Sequence, residues 1–207
     1  MTKHPKHPAQ TKAEDLLTQL RIDTVPIPVE RIAKALNAQV RFTPFEGALS
    51  GLIYREEDEE GRQIATIIGV NSTHAPTRRR FTLAHEIGHL YLEHLDSSAF
   101  GQLHVDRKFH LGKSSTSGRV LARDARAALG VDSQEMAANA FAAALLMPEA
   151  AVRRDFETLR DETLGGFDFE DDELARALAD RYKVSPQAML LRLFHLRLIS
   201  DPFGGEA

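Results

Sequence analysis

The pentapeptide His85-Glu86-Ile87-Gly88-His89 constrains this chain more than any other segment. On a helix its two histidines stand one turn apart on one face, so both imidazoles can reach a single ion. Imidazole nitrogens hold zinc at roughly 2.0–2.1 Å. Glu86 is rotated about 100° around the same axis. It therefore points beside the ion, which suits a general base and not a third ligand. The neighbouring residues supply the helix: Thr77 to His94 carries Phe81, Leu83, Ala84, Ile87, Leu90 and Tyr91 at helical spacing, with no proline inside.

A catalytic zinc site wants three protein ligands and one open position. The chain has no cysteine, so the third ligand must be a histidine or a carboxylate, with His94, His104, Asp106, His110 and Glu135 as candidates. The metzincin pattern needs glycine and histidine where this chain has Leu92 and Leu95, so that arrangement is excluded. His94 falls half a turn off the ligand face. Glu135 is better placed, because it opens the apolar run E-M-A-A-N-A-F-A-A-A-L-L-M-P, from Glu135 to Pro148, which reads as a buried helix. A carboxylate facing inward from such a helix needs a partner, and a metal ion provides one. Asn139 lies one turn later on the same face and can orient a ligand from behind. The competing account of Glu135 is stabilisation of a helix N-terminus, since the helix is expected to span Asp132 to Met147.

Composition limits the alternatives. The chain has 207 residues, 43% hydrophobic and 27% charged, which is globular composition with room for one core. Its formal net charge is −4, against a protein that grips nucleic acid globally. Met1 to Gln10 is polar and lacks a signal-peptide core, and the longest apolar run, Ala140 to Met147, is too short to cross a bilayer. With no cysteine, a cytoplasmic protein is expected.

The remaining elements follow from periodicity and punctuation. Residues 1–12 are expected to be disordered. Lys12 to Arg21 reads as a helix broken at Val25-Pro26-Ile27-Pro28, and Val29 to Leu36 as the next. Gln39 to Phe45, Ala48 to Arg55 and Gln63 to Asn71 read as strands, with the acidic run Glu56 to Glu60 as a solvated hairpin tip. Ser97 to Gly130 reads as a loop with short helical pieces, locally basic at Arg107, Lys108 and Lys113, and plausible as a substrate lining. Ala151 to Leu159 adds a helix, and Gly165-Gly166 marks a boundary. Glu170 to Ile199 then reads helix–turn–helix, with Ser185 as cap and Pro186 at the first helical position. Domains are accordingly expected at 13–160 and 167–201.

The segments R-R-F-T-L-A-H-E-I-G-H-L (Arg79 to Leu90), E-M-A-A-N-A-F-A-A-A-L-L-M-P (Glu135 to Pro148) and V-N-S (Val70 to Ser72) together resemble the ImmA/IrrE family of zinc metallopeptidases, over roughly Ala13 to Ile199. The resemblance implies an α+β fold in which a small mixed sheet packs on the metal helix, followed by a helix-turn-helix-like C-terminal region. It implies a gluzincin-like site, with His85, His89 and Glu135 as zinc ligands and Glu86 as base. It also implies a site-specific endopeptidase that cleaves a helix-turn-helix transcriptional repressor encoded nearby and so derepresses stress-response or mobile-element genes. One departure is Ala137, where many members carry an acidic residue. The chain stops soon after Ile199, so a further C-terminal sensor domain, found in some relatives, is expected to be absent. Tyr54 is a candidate oxyanion donor on this resemblance, and Leu49 to Tyr54 a candidate edge for strand addition by substrate.

Two rival readings remain. The basic residues Arg181, Lys183, Arg192 and Arg197 in the tail could serve direct DNA binding, although Glu170 to Glu173 is acidic and Ser185-Pro186-Gln187 offers little to read base edges. Alternatively the chain is a toxin–antitoxin-like regulatory partner with a structural zinc site; the complete set of His85, Glu86, His89 and Glu135 argues against it.

Overall fold

The computed structural model describes residues 6–47, 49–58, 60, 62–93, 104–107, 125–163 and 171–200. Along the chain these form α1 (Pro8–Gln19), α2 (Val29–Ala35), β1 (Ala38–Thr43), β2 (Leu49–Glu57), β3 (Gln63–Asn71), α3 (Pro76–Tyr91), β4 (His104–Arg107), α4 (Ala125–Leu146), α5 (Glu149–Thr163), α6 (Asp171–Tyr182) and α7 (Pro186–His195). The class is α+β. The sheet is mixed, in the order β1-β3-β2-β4, with β1 parallel to β3 and both β3 and β4 antiparallel to β2.

The alternation of β3 decides how the sheet meets the helices. Ile68 and Val70 face the main core, where Ile53 of β2 lies opposite Ile68. Ile67 and Gly69 face the other way. There Gly69 sits under Phe45 and Leu52. Helix α3 covers the core face through Leu83, Ala84 and Ile87, and α4 packs on α3 and α1 through Phe141, Ala142 and Leu145. Burying each of the larger side chains is worth about 1.5–3 kcal/mol.

Asn71 accounts for the V-N-S motif. Its side chain is buried and joins three pieces of backbone: Nδ2 donates to the Leu49 carbonyl at 2.9 Å, and Oδ1 accepts from Phe45 N–H at 3.3 Å and Thr73 N–H at 3.1 Å. This fixes the entry of β2 against the turn that leads into α3. At the hairpin tip Arg62 pairs with Asp58 at 2.7 Å and Glu60 at 2.9 Å, and the Arg62 bonds hold the Asp58 carboxyl below its ordinary range.

Three elements differ from the sequence expectation. Helix α1 starts at Pro8 and not at Lys12, because the His7 ring nitrogen accepts from Ala9 N–H at 3.2 Å and Ala9 is buried. Helix α4 starts at Ala125 and not at Asp132, since Ala125 to Leu129 are strong helix formers that carry the helix through Gly130. Within the expected loop Ser97 to Gly130, residues His104–Arg107 form a strand; the rest of that loop, apart from the start of α4, lies outside the described residues, as do Gly165 and Gly166.

The C-terminal pair α6 and α7 follows the expected capping, with Ser185 Oγ accepting from Ala188 N–H at 3.2 Å and Pro186 opening α7. Leu178, Tyr182, Met189 and Leu193 share the core with α1 and α4. Arginines tie the pair to the body by donating to backbone carbonyls, most of them at helix ends. Arg192 Nε donates to the Met147 carbonyl at 3.0 Å, Arg153 to Leu196 at 3.0 Å, and Arg80 to Lys183 at 3.2 Å and Ile27 at 2.9 Å. Burial lowers the Arg80 and Arg192 guanidiniums from their ordinary values. Of the four basic tail residues noted in the sequence, Arg192 is therefore buried, and Arg181 pairs with the buried Asp155 at 2.8 Å. Asp155 also accepts from the Tyr182 hydroxyl at 2.9 Å. Burial and that bond push the phenol up. Among the described residues no helix is long and apolar enough to cross a membrane.

Candidate metal centre

Helix α3 enters from β3 with Pro76 at its first position and buries one continuous stretch, Thr82 to His89. His85 and His89 are both on this stretch, and their rings meet edge to face with Nε2 atoms 2.9 Å apart. Helix α4 crosses α3 and delivers Glu135. Its Oε2 lies 3.2 Å from His85 Nε2 and its Oε1 3.3 Å from His89 Nε2. Among the described residues, this is the group of histidine and carboxylate side chains whose donor atoms converge, all within 4.8 Å.

The donor set fits a metal ion. A tetrahedral ion bound at roughly 2.0–2.2 Å separates its donors by about 3.3–3.6 Å. The three separations here, 2.9, 3.2 and 3.3 Å, come close to that edge length. At 2.9 Å the two ring nitrogens are close enough to share one ion. Two imidazoles and one carboxylate leave one coordination position open, the composition of a reactive centre rather than a closed structural one. The His85 and His89 side chains are 4% and 0% exposed, while Glu135 is 30% exposed, so the group is sealed on the α3 side and opens along α4.

Asn139 completes the set. Its Oδ1 lies 3.0 Å from His85 Nδ1, where it can accept the ring N–H and leave Nε2 unprotonated toward the ion. Glu135 stands in the middle of α4, several turns from Ala125, so the helix-terminus account of this carboxylate does not apply. Glu86 is 0% exposed and borders Gly51 of β2.

A glycine makes this geometry possible. A Cβ on Gly88 would lie 3.2 Å from Ala138 Cα, 3.3 Å from its carbonyl oxygen and 3.3 Å from Phe141 Cδ1. The bare Cα thus sets the closest approach of α3 and α4 and, through it, the distance from Glu135 to the imidazoles. A glycine inside a helix costs about 1 kcal/mol relative to alanine. Its presence in the middle of α3 is the sequence signal that a neighbour comes close. Gly88→Ala is expected to push α4 outward by a few tenths of an ångström and to weaken metal binding about 10–100-fold, as measured by competition with a chromogenic chelator.

Tyr54 and the β2 edge are placed otherwise than expected. Gly51 points at α3, so by alternation Tyr54 points to the opposite face of the sheet. Its hydroxyl accepts from Arg41 Nη1 at 3.2 Å, beside Glu56, and the structure does not bring it to His85, His89 and Glu135. The edge of β2 expected to receive a substrate strand is filled by β4, with Gly51 opposite Asp106 and Leu52 opposite Val105. Alternation holds for any strand, but which face of β2 turns to α3 is fixed only by its register with β3 and β4. His94 and His110 lie outside the described residues.

A buried helix carrying two imidazoles, crossed by a second helix that brings a carboxylate, has the donor set of a metallopeptidase-type centre. The comparisons agree. Residues 33–194 match the peptidase M78 family, described as the IrrE N-terminal-like domain, and the chain belongs to that family of metallopeptidases. Among curated proteins no sequence matches the chain. Among solved structures, a Mycobacterium tuberculosis transcriptional regulator shares the fold with a TM-score of 0.53 at 19% identity, over 90% of this chain and 46% of its own. The chain thus spans about half the length of that regulator.

Proposed function

We propose that this chain is a zinc-dependent, site-specific endopeptidase whose substrate is a helix-turn-helix transcriptional repressor, and that cleavage relieves repression of stress-response or mobile-element genes. The observation that carries the reading is the convergence of His85, His89 and Glu135 beside the buried Glu86. The repressor as substrate rests on the resemblance to the ImmA/IrrE family, to which the matching family model belongs.

In this reading His85, His89 and Glu135 hold the ion, and Asn139 fixes the ring of His85. Zinc, when bound, supplies a Lewis acid for the scissile carbonyl and an acidified water. Glu86 takes the proton of the attacking water and delivers it to the leaving amine, so water adds across the amide bond and one carboxylate and one amine result. Burial keeps bulk water from competing for that proton. The open side along α4 is where an extended chain can approach.

Loss of the Asn139 amide removes only the ring's outer partner. Asn139→Ala is expected to weaken zinc about 10–100-fold while the folded chain persists, read by the same chelator competition. The function itself is tested by incubating the chain with the repressor encoded beside its gene, with and without chelator, and identifying products by mass spectrometry. One chelator-sensitive cut is expected; an intact repressor alongside a zinc-loaded chain would sink the proposal.

A further inference from the structure

Residues Leu49 to Gly51 form a bulged segment held from every side. Between Leu49 and Gly51 the register against β4 shifts by one, from Leu49 opposite Arg107 to Gly51 opposite Asp106, which leaves Ser50 as the extra residue. Each residue of the segment has its own anchor. The Leu49 carbonyl accepts from Asn71 Nδ2 at 2.9 Å. Ser50 is buried, and its Oγ accepts from Arg78 Nη2 of α3 at 2.8 Å. Gly51 is paired on both sides, with Val70 and with Asp106.

The segment so held presses a bare Cα against the working face of α3. A Cβ on Gly51 would lie 2.4 Å from Thr82 Cγ2, 2.7 Å from Glu86 Oε1 and 3.3 Å from Glu86 Cγ. No real Cβ sits that close, so any side chain here must displace the strand, the threonine or the carboxylate. The strand is pinned by the anchors above, and Thr82 is buried within the helix. The carboxylate is the flexible end of a side chain, and it is the part that would move.

We infer that Gly51, held by the bulge at Ser50, is a positioning residue for Glu86: its missing side chain forms the wall that sets where the carboxylate stands beside His85 and His89. The inference rests on the reading of Glu86 as base. An isolated glycine within a strand is the sequence mark of a bulge or a close backbone approach.

The test separates the two contacts. Gly51→Ala alone meets both Thr82 and Glu86, and it can fail by misfolding. Adding Thr82→Ser removes the methyl at 2.4 Å and leaves the encounter with the carboxylate. The zinc-loaded full chain with both substitutions is expected to melt near the wild type and to hold one zinc. Its crystal structure should show Glu86 displaced by about 1 Å while His85, His89 and Glu135 superpose. A displacement of that size costs about 100-fold in turnover. With the repressor as substrate, kcat should fall by that factor with KM little changed. An undisplaced Glu86, or wild-type kcat in the double variant, overturns the inference. If the wild type leaves the repressor intact, the proposed function fails, and the position of Glu86 in the crystal still decides the role of Gly51.

Discussion

Glu86→Gln is expected to leave the metal in place and to reduce peptide-bond cleavage about 10²–10⁴-fold. The substitution keeps the shape of the side chain and removes its capacity to accept a proton. Glu86 is 0% exposed and its carboxylate is not one of the three converging groups, so the change should touch neither the donor set nor the core. Two measurements decide the point. Metal content by mass spectrometry should stay at one per chain, and the cleavage rate should fall without a matching rise in KM, the sign of an interaction used in the transition state alone. Cleavage at the wild-type rate would remove Glu86 as the base and with it the proposed mechanism. Loss of the metal would instead make Glu86 part of the binding group.

His89→Ala should have the larger effect on stability. This imidazole is fully buried, 3.3 Å from Glu135 Oε1 and 2.9 Å from His85 Nε2. Its loss leaves two donors and a cavity in place of a third, so zinc at stoichiometric concentration should no longer be retained. A ligand that binds only the folded chain at about 1,000 times its Kd adds about 4.1 kcal/mol. For a chain of this size that corresponds to about 8–16 °C in the thermal midpoint. Chelator should therefore lower the wild-type midpoint by this amount and barely change that of His89→Ala. Equal sensitivity of the two to chelator would place the ion elsewhere.

The contrast between these variants follows from where each side chain sits. Glu86 lies between the two histidines on α3, yet only the histidines meet the carboxylate that α4 brings. Crossing by α4 is what turns a pair of imidazoles into a three-donor group, and Gly88 sets how close the crossing comes.

Much of the site was legible in the chain because local rules govern it. The histidines share a face because a helix repeats every 3.6 residues. Glu135 stands out in the sequence because a carboxylate at the head of an apolar run calls for a partner. Ser185 and Pro186 announced the start of α7 through capping chemistry, which depends on neighbours a few residues away. Tyr54 lies away from the three donor residues for a reason that local rules do not contain. Its distance from the motif along the chain says nothing about its face, and pairing with β3 turned it away.

The sequence by itself determined the helix that sets His85 and His89 on one face, since that follows from helical periodicity, while the meeting of Glu135 and Asn139 with those rings required α4 to cross α3. Only the tertiary structure decided that β4 fills the edge of β2, that Arg192 caps α4 from within the core, and that Gly51 and Gly88 bring a strand and a helix against the site. Those decisions concern how near two distant backbones come, and a close approach is made by the absence of a side chain, which leaves its trace only when the partner is in place.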